Sequence, residues 1–265
     1  MEDKRRLEVD FAHVNSLLGA LTGSYLNAKP FPHVSVSGLF DMELLRALEL
    51  EFPSSDLMAT SFKGNIEGGK YTESDFSRFG PLTQSFIAAC NSGPFLQTIS
   101  QLTGIEGLIS DPYLAGGGQH QTERGGLLKI HSDFNTHPFL NLTRRINMLV
   151  YLNENWKPEW GGELELWDEQ MRNAGVKIAP ELGRVVIFNT TDTSFHGLPD
   201  PIRFPPGQFR RSIAFYYFTA DQVLPEHRNT LWKERPNEDF LTSPAARVRE
   251  ATRHFGRGVK TIFKG

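Results

Sequence analysis

The chain has 265 residues, of which 39% are hydrophobic and 11% aromatic, so it is long enough to bury a sizeable core. Its formal net charge of -3 gives no sign of the basic surface by which many proteins bind nucleic acids. The only cysteine, Cys90, cannot form an internal disulfide, which favours a reducing compartment. With neither a signal peptide nor a run of about 18 apolar residues visible, we expect a cytoplasmic protein that does not span a membrane.

Residues 1–107 are predicted to form a mainly helical N-terminal part. After a short first helix, the alternation of apolar and polar residues predicts a strand at Pro30–Val36. The leucine spacing predicts a helix over Met42–Glu51. Two further helices are predicted over Pro81–Cys90 and Pro94–Leu102, because proline is favoured in the first turn of a helix.

Residues 54–79 are polar, bear three glycines and carry scattered aromatic residues. A long loop of this kind within a compact protein is often functional. We therefore predict a loop that acts as a lid or as a wall of a substrate site. A mobile surface loop without a function explains the same composition.

From residue 108 to residue 220 the sequence changes to short β-type runs that are separated by glycine or proline turns. This spacing predicts a jelly-roll or a barrel rather than alternating strands and helices. No internal repeat or low-complexity linker is visible, so residues 1–265 are predicted to be a single domain of mainly β structure with flanking helices (α+β). The predicted runs are Leu108–Ile109, Gln119–Gln121, Leu127–Asp133, Ile146–Leu152, Glu163–Trp167, Val176–Ile178, Val185–Asn189 and Ser212–Phe218.

The C-terminal tail, residues 221–265, is polar at first and later shows apolar residues at helical spacing beside several arginines. A basic amphipathic helix of this kind could bind an anionic surface. Two glycines weaken that interpretation, so a helix that packs on the core or on a second subunit is the preferred one.

A metal site is indicated by two segments that lie far apart in the sequence. His131 and Asp133 are two residues apart in a predicted strand, so their side chains share a face. A second imidazole, from His196, completes two histidines and one carboxylate, which is the set that binds non-haem Fe(II) while leaving positions open. A His-x-Asp pair alone is common by chance, and the neighbouring motifs strengthen the interpretation.

Four segments occur in an order that resembles the Fe(II)- and 2-oxoglutarate-dependent oxygenases, specifically the prolyl-4-hydroxylase-like branch. They are Leu127–Asp133, Gly161–Trp167, Val185–Gly197 and Arg210–Phe218. The resemblance covers residues 117–220 well and residues 30–53 more loosely. It implies a double-stranded β-helix (jelly-roll, cupin-like) core with an N-terminal helical buttress. It also implies the cofactors Fe(II), 2-oxoglutarate and O2.

The resemblance further implies a cation that binds the far carboxylate of 2-oxoglutarate. Arg210, at the head of the last core strand, matches that position, and a planar guanidinium suits a carboxylate well. Ser212 shares its face and could donate a second hydrogen bond. Adjacent Arg211 competes for the role, but strand parity favours Arg210 if Tyr216 lines the pocket.

Tyr151 precedes Leu152 and Asn153 and resembles the tyrosine by which prolyl hydroxylases bind the cosubstrate carboxylate. An ordinary core tyrosine is the alternative. Gln119 and Gln121 lie near the place of an earlier cosubstrate contact in the family, although the match there is poor.

Five further polar residues near these segments have less specific interpretations. Lys129 shares a face with His131, although a surface lysine is more usual. His120 and His137 are interpreted as local hydrogen-bonding residues rather than ligands. Arg144 and Arg145 either pair with acidic neighbours or bind an acidic substrate.

The resemblance implies hydroxylation of an unactivated C–H bond with release of succinate and CO2. Related halogenases replace the carboxylate ligand by a small residue, whereas this chain keeps Asp133. The substrate is expected to be a free amino acid or another small metabolite, with a protein residue as the alternative, and the protein to be a monomer or a homodimer. A cupin-like metal enzyme that does not use 2-oxoglutarate, or a non-catalytic sensor on the same fold, remains open.

Overall fold

The computed structural model describes residues 7–236 and 238–240. The helices are α1 (Phe11–Gly19), α2 (Thr22–Asn27), α3 (Met42–Leu50), α4 (Pro81–Cys90) and α5 (Gly93–Thr103). The strands are β1 (His33–Val36), β2 (Thr60–Lys63), β3 (Glu67–Glu73), β4 (Ile109–Ser110), β5 (Gly118–Ser132), β6 (Thr143–Tyr151), β7 (Leu164–Trp167), β8 (Ala174–Ile178), β9 (Val185–Asn189), β10 (His196–Leu198), β11 (Phe209–Thr219) and β12 (Leu231–Trp232).

The N-terminal helices buttress one face of a β core. Asp41 is the N-cap of α3, because its carboxylate accepts hydrogen bonds from the backbone N–H groups of Glu43 and Leu44. Aromatic contacts then join the helices to the last long strand: Phe86 of α4 packs against Phe215 of β11, with 6.0 Å between ring centroids. The predicted helical buttress is confirmed.

The strands form one antiparallel, nearly closed sheet in the order β1-β9-β6-β11-β5-β10-β7-β8. Successive side chains of β9 point to opposite faces. Val185 and Ile187 join the large cluster beneath the helices, whereas Val186 and Phe188 join a second cluster with β7 and β8 inside the core. The prediction of a mainly β jelly-roll core with flanking helices is confirmed.

Strand β5 corrects the prediction of two separate strands at Gln119–Gln121 and Leu127–Asp133. It is one continuous strand of 15 residues, and Gly125, with φ of 81°, lies inside it. Residues 118–123 pair with β11, whereas residues 128–131 pair with β10. Gly125 and Gly126, which lie between the two predicted strands, form no turn and let the strand continue from one half of the core into the other.

Residues 54–79 also differ from the prediction, because they are not a long loop. Strands β2 and β3 form an antiparallel hairpin, and β3 pairs along β5 from Leu128 to Gln119. A Cβ atom at Gly69 would lie 2.7 Å from the Cα of Gly126, so glycine is required where the two backbones cross. The segment is therefore a paired extension of the sheet.

The described part of the C-terminal tail crosses back over the core. Strand β12 pairs antiparallel with the end of β5, where Trp232 is the partner of His131. The helix predicted in the later part of the tail lies outside the described residues. Among the helices that the structure describes, none is long and apolar enough to cross a bilayer.

Candidate active site

Strand register brings two of the predicted metal ligands together. His196 of β10 is the direct partner of His131 of β5, so both side chains project from the same face of the sheet. Their ring centroids are 4.5 Å apart. Asp133 follows β5 immediately. One nitrogen or oxygen atom of each of these three residues lies within 4.8 Å of the others.

Hydrogen bonds orient both imidazoles for metal binding. Nδ1 of His131 lies 2.8 Å from the carbonyl oxygen of Lys129, and Nδ1 of His196 lies 2.9 Å from that of Ser194. Because a carbonyl can only accept, each Nδ1 carries the ring proton in the neutral tautomer and each Nε2 keeps its lone pair. These Nε2 atoms lie 3.5 and 3.4 Å from the Asp133 carboxylate oxygens, so the donor set fits Fe(II).

The protonation states suit a cation at this place. Burial, followed by the neighbouring His196, lowers the pKa of His131, so this ring is neutral at pH 7. Burial alone would raise the pKa of Asp133, but Arg144 and His196 outweigh it and hold this pKa well below its usual range. A neutral imidazole and an ionised carboxylate are the forms that ligate a metal.

Asn147 and Arg144 hold the Asp133 carboxylate: the sequence analysis did not assign Asn147 to the site, and for Arg144 the alternative of an acidic neighbour is the one observed. Asn147 Nδ2 donates to Asp133 Oδ2 at 2.8 Å, and Arg144 Nη2 lies 3.1 Å from the same oxygen. Arg144 also donates to Asn147 Oδ1 from Nε and Nη2. Asn147 was detectable as the polar residue in the otherwise apolar run Ile146–Leu152.

A β-bulge explains why Arg144, rather than Arg145, reaches Asp133. The register between β6 and β11 shifts at Tyr217, so that Phe218 pairs with Arg144 and one residue of β6 is left over. The Arg144 guanidinium carbon lies 3.5 Å from the Tyr216 ring centroid and 4.3 Å from that of Phe134. Arg145 instead lies 3.8 Å from Asp221.

The C-terminal segment covers one side of His131. The ring of Trp232 lies 5.1 Å from that of His131, and only 5% of Trp232 is exposed. Arg228 donates to the backbone carbonyl of Asp133 at 2.8 Å and to the carboxylate of Asp192 at 2.9 Å. Sequence analysis missed this segment, since nothing in its pattern indicates which strand it joins.

The predicted cosubstrate residues lie together at the other end of the site. Arg210 is buried, and its Nε donates to the carbonyl of Gly162 at 2.8 Å while Nη2 donates to the Tyr151 hydroxyl at 3.1 Å. Ser212 is the strand partner of Tyr151. Burial raises the pKa of Tyr151 although Arg210 opposes it, so this hydroxyl keeps its proton.

Arg211 faces away from this group. Its Nη1 lies 3.1 Å from Glu49 of α3, on the helical side of the sheet. Alternation along β11 therefore separates the two adjacent arginines, with Arg210 in the cavity and Arg211 beneath α3. Gln121 also lies on that side, since its Oε1 accepts from Arg211 Nε at 3.4 Å. Gln119, two residues earlier in the same strand, is buried as well.

The remaining predicted polar residues have distinct surroundings. Lys129 pairs with Glu238 at 2.7 Å, donates to the carbonyl of Pro199 at 3.1 Å and does not line the cavity. His137 is buried, and its Nε2 lies 3.0 Å from Asp111. His120, in contrast, lines the cavity.

A cavity of about 220 Å³ contains the metal-binding group and the arginine. Hairpin β2–β3 contributes part of its wall, and Asn229, Thr230 and Trp232 contribute another part. The cavity is also lined by Arg210, Ser212, Leu149 and Leu164. Among the described residues, His131, Asp133 and His196 are the one group of this kind that could hold a metal, and this cavity brings it together with the buried guanidinium of Arg210.

Comparison with known families agrees with this geometry. Residues 118–218 match the family model of the 2OG-Fe(II) oxygenase superfamily. This segment includes all the strands that carry the predicted site. No curated protein sequence matches the chain at a significant level.

Solved structures of prolyl hydroxylases share the fold. A Pseudomonas putida prolyl-4-hydroxylase is 19% identical with a TM-score of 0.50, over 76% of this chain and 98% of that one. A Trichoplax adhaerens prolyl hydroxylase, in complex with a hypoxia inducible factor peptide fragment, is 19% identical with a TM-score of 0.51, over 77% and 90%. A Phytophthora capsici prolyl 4-hydroxylase is 18% identical with a TM-score of 0.54, over 96% and 78%.

The resemblance seen in the sequence is confirmed by the family match, and the fold by the structural neighbours. The cofactors of this family are Fe(II) and 2-oxoglutarate, and the cavity contains a possible metal triad together with a buried arginine. Residues 118–218 are thus similar to the 2OG-Fe(II) oxygenase superfamily, and the solved prolyl hydroxylases share the fold.

Proposed function

We propose that this protein hydroxylates an unactivated C–H bond of an amino acid, another small metabolite or a protein residue. In the proposed reaction, one atom of O2 enters the substrate as a hydroxyl group and the other enters succinate, while 2-oxoglutarate loses CO2. The observation that carries the proposal is a single cavity that contains two histidines, one carboxylate and a buried arginine.

His131, Asp133 and His196 are the proposed ligands of Fe(II). When bound, the ferrous ion supplies the activation of oxygen that no amino-acid side chain can provide. The chain's own part is to hold the three ligands in place. The carbonyls of Lys129 and Ser194 fix the two rings, and Asn147 and Arg144 fix the carboxylate.

Arg210 is the proposed partner of the far carboxylate of 2-oxoglutarate. Two of its nitrogens are held by Gly162 and Tyr151, so the guanidinium is oriented before the cosubstrate arrives. Tyr151 is protonated and could donate to the same carboxylate, as could Ser212. The apolar side chains of Leu149 and Leu164 line the space nearby, where they would exclude water from the bound cosubstrate.

The direct test begins with anaerobic protein loaded with Fe(II) and 2-oxoglutarate, to which oxygen is then added while succinate is measured. Oxygenases of this type are expected to turn over slowly without substrate, so succinate formation needs no knowledge of the substrate. Fully ferrous protein that forms no succinate, either alone or with any member of a panel of amino acids and peptides, would contradict the proposal.

Substitutions of the adjacent arginines Arg210 and Arg211 test the cosubstrate site. Arg210→Ala is expected to raise the 2-oxoglutarate KM by about 10–100-fold, because a buried charge-assisted contact contributes roughly 1.5–3 kcal/mol. Arg211→Ala is the matched control, since its guanidinium lies against Glu49 outside the cavity. Normal 2-oxoglutarate dependence in Arg210→Ala would favour the alternative of a cupin-like enzyme that does not use this cosubstrate.

A further inference from the structure

Three polar residues form a wall of the cavity that the proposed metal and cosubstrate contacts do not use. Glu67 and Lys70 lie on β3, His120 lies on β5, and all three line the cavity. The register places Lys70 beside Thr122 and Thr72 beside His120. We refer to Glu67, Lys70 and His120 as the polar wall.

The polar wall presents opposite charges side by side. Lys70 Nζ donates to Glu67 Oε1 at 3.0 Å, and the Glu67 side chain is only 2% exposed. An ammonium group has three N–H donors, so this bond alone does not saturate Lys70. Burying an ammonium group is costly unless its donors find partners, so Lys70 is suited to bind a further anionic group.

His120 adds a neutral nitrogen to this wall. The residue is 8% exposed, and its Nε2 has no hydrogen-bond partner among the residues that the structure describes. Burial, followed by Lys70, lowers the pKa of His120 to about 3, so the ring is neutral at pH 7. The backbone of Gly116 and Gly117 bonds the ring elsewhere, which leaves Nε2 for a ligand.

We infer that the polar wall binds the zwitterionic end of a free α-amino acid, which is the substrate. Lys70 pairs with its carboxylate, while Glu67 and His120 accept hydrogen bonds from its ammonium group. The inference rests on the proposed function and names the substrate class for the same site.

Charge and size both favour this occupant. A zwitterion offers one group to each charge of the Glu67–Lys70 pair, whereas the backbone of an internal peptide segment carries neither charge. The cavity of about 220 Å³ is smaller than the roughly 300–1,000 Å³ of pockets for drug-sized ligands. Aromatic residues contribute other parts of the lining, so the side chain that carries the reacting C–H bond is expected to be apolar; they are Phe62, Tyr113, Phe134, Phe139, Tyr216 and Trp232.

The inference is tested by binding as well as by turnover. Anaerobic protein with Fe(II) and 2-oxoglutarate is titrated by calorimetry with the twenty L-amino acids. Each amino acid that binds is then compared with its methyl ester, which lacks the carboxylate, and with its N-acetyl derivative, which lacks the ammonium. We expect at least one apolar amino acid to bind and to stimulate succinate formation, and both derivatives to bind at least tenfold more weakly.

Variants of Lys70 locate the effect in the polar wall. Lys70→Met is expected to weaken amino-acid binding at least tenfold, and Lys70→Arg is expected to restore most of it because the positive charge is kept. Lys63→Met, an exposed lysine of the same hairpin, is the matched control. If Lys70→Met does not fold, as judged by circular dichroism, the comparison of amino acid with methyl ester on the wild-type protein decides whether the carboxylate is recognised.

The outcomes separate this inference from the proposed function. Wild-type protein that forms succinate, yet binds no amino acid or binds ester and acid equally well, would overturn the inference alone. Protein that forms no succinate under any condition would overturn the proposed function, while the calorimetry still decides whether the wall binds a zwitterion. Unchanged binding in a folded Lys70→Met variant would also overturn the inference.

Discussion

His131 and His196 are direct partners on two antiparallel strands, β5 and β10, with 4.5 Å between their ring centroids. This pairing places both imidazoles on one face, while the end of β5 delivers Asp133 to the same point. Register, rather than a flexible loop, thus sets the separation of the two rings. Ligands mounted on a paired sheet need little reorganisation to bind a metal.

Asn147 is expected to be a positioning residue for Asp133. Asn147→Ala removes the 2.8 Å bond to Asp133 Oδ2 and should weaken Fe(II) binding by about 10–100-fold, as loss of a partner of a metal ligand typically does. Equilibrium titration with Fe(II) under anaerobic conditions measures the effect. Asn173→Ala, at an exposed position, is the control, and equal affinities in the two variants would contradict this role.

Trp232 is expected to connect the C-terminal segment to the metal site. Trp232→Ala should lower the free energy of unfolding by about 3 kcal/mol and also weaken Fe(II) binding, because it removes the ring that packs on His131. Trp160→Ala provides the comparison, since Trp160 packs against Trp156 and Phe204 away from the ligands. If both variants bound Fe(II) like the wild type, Trp232 would have a purely structural role.

His120 is expected to make stability depend on pH. Its folded pKa of about 3 lies below the ordinary value of 6.5, so between these values the unfolded chain binds a proton that the folded protein does not. Its contribution to stability is therefore complete above pH 6.5 and decreases as the pH falls towards 3.

Replacing His120 tests this dependence. Between pH 7.5 and pH 4.5 the free energy of unfolding should fall in both proteins. The fall should be larger in the wild type than in His120→Gln by roughly 2–3 kcal/mol. Urea unfolding at both pH values measures the difference. His13→Gln, on the exposed surface of α1, should keep the wild-type pH dependence, and an identical profile for His120→Gln would refute the prediction.

Glu51 is expected to stabilise the start of α4. Its carboxylate accepts hydrogen bonds from the backbone N–H groups of Leu82 and Thr83, at 3.0 and 2.6 Å, and from the Thr83 hydroxyl. Glu51→Ala should lower the free energy of unfolding by about 2 kcal/mol, because these helix-end donors lose their acceptor. Thermal unfolding measures the loss, and Glu106→Ala, at an exposed site, should show almost none.

Local sequence pattern determined much of the fold. The helix at Pro81–Cys90 has the predicted bounds, and the strands of the core occur in the predicted order, because proline position and side-chain alternation act over a few residues. The motif order also indicated the family. These are properties that neighbouring residues impose on one another.

Only the tertiary structure decided which distant groups meet. Nothing local shows that Gly125 and Gly126 continue a strand, that β3 pairs with β5, or that Trp232 packs on His131. A bulge in β6 directs Arg144 to Asp133, and a change of one residue in register would reverse the faces. Strand pairing is chosen by the packing of the whole sheet, so these contacts exist only once the chain has folded.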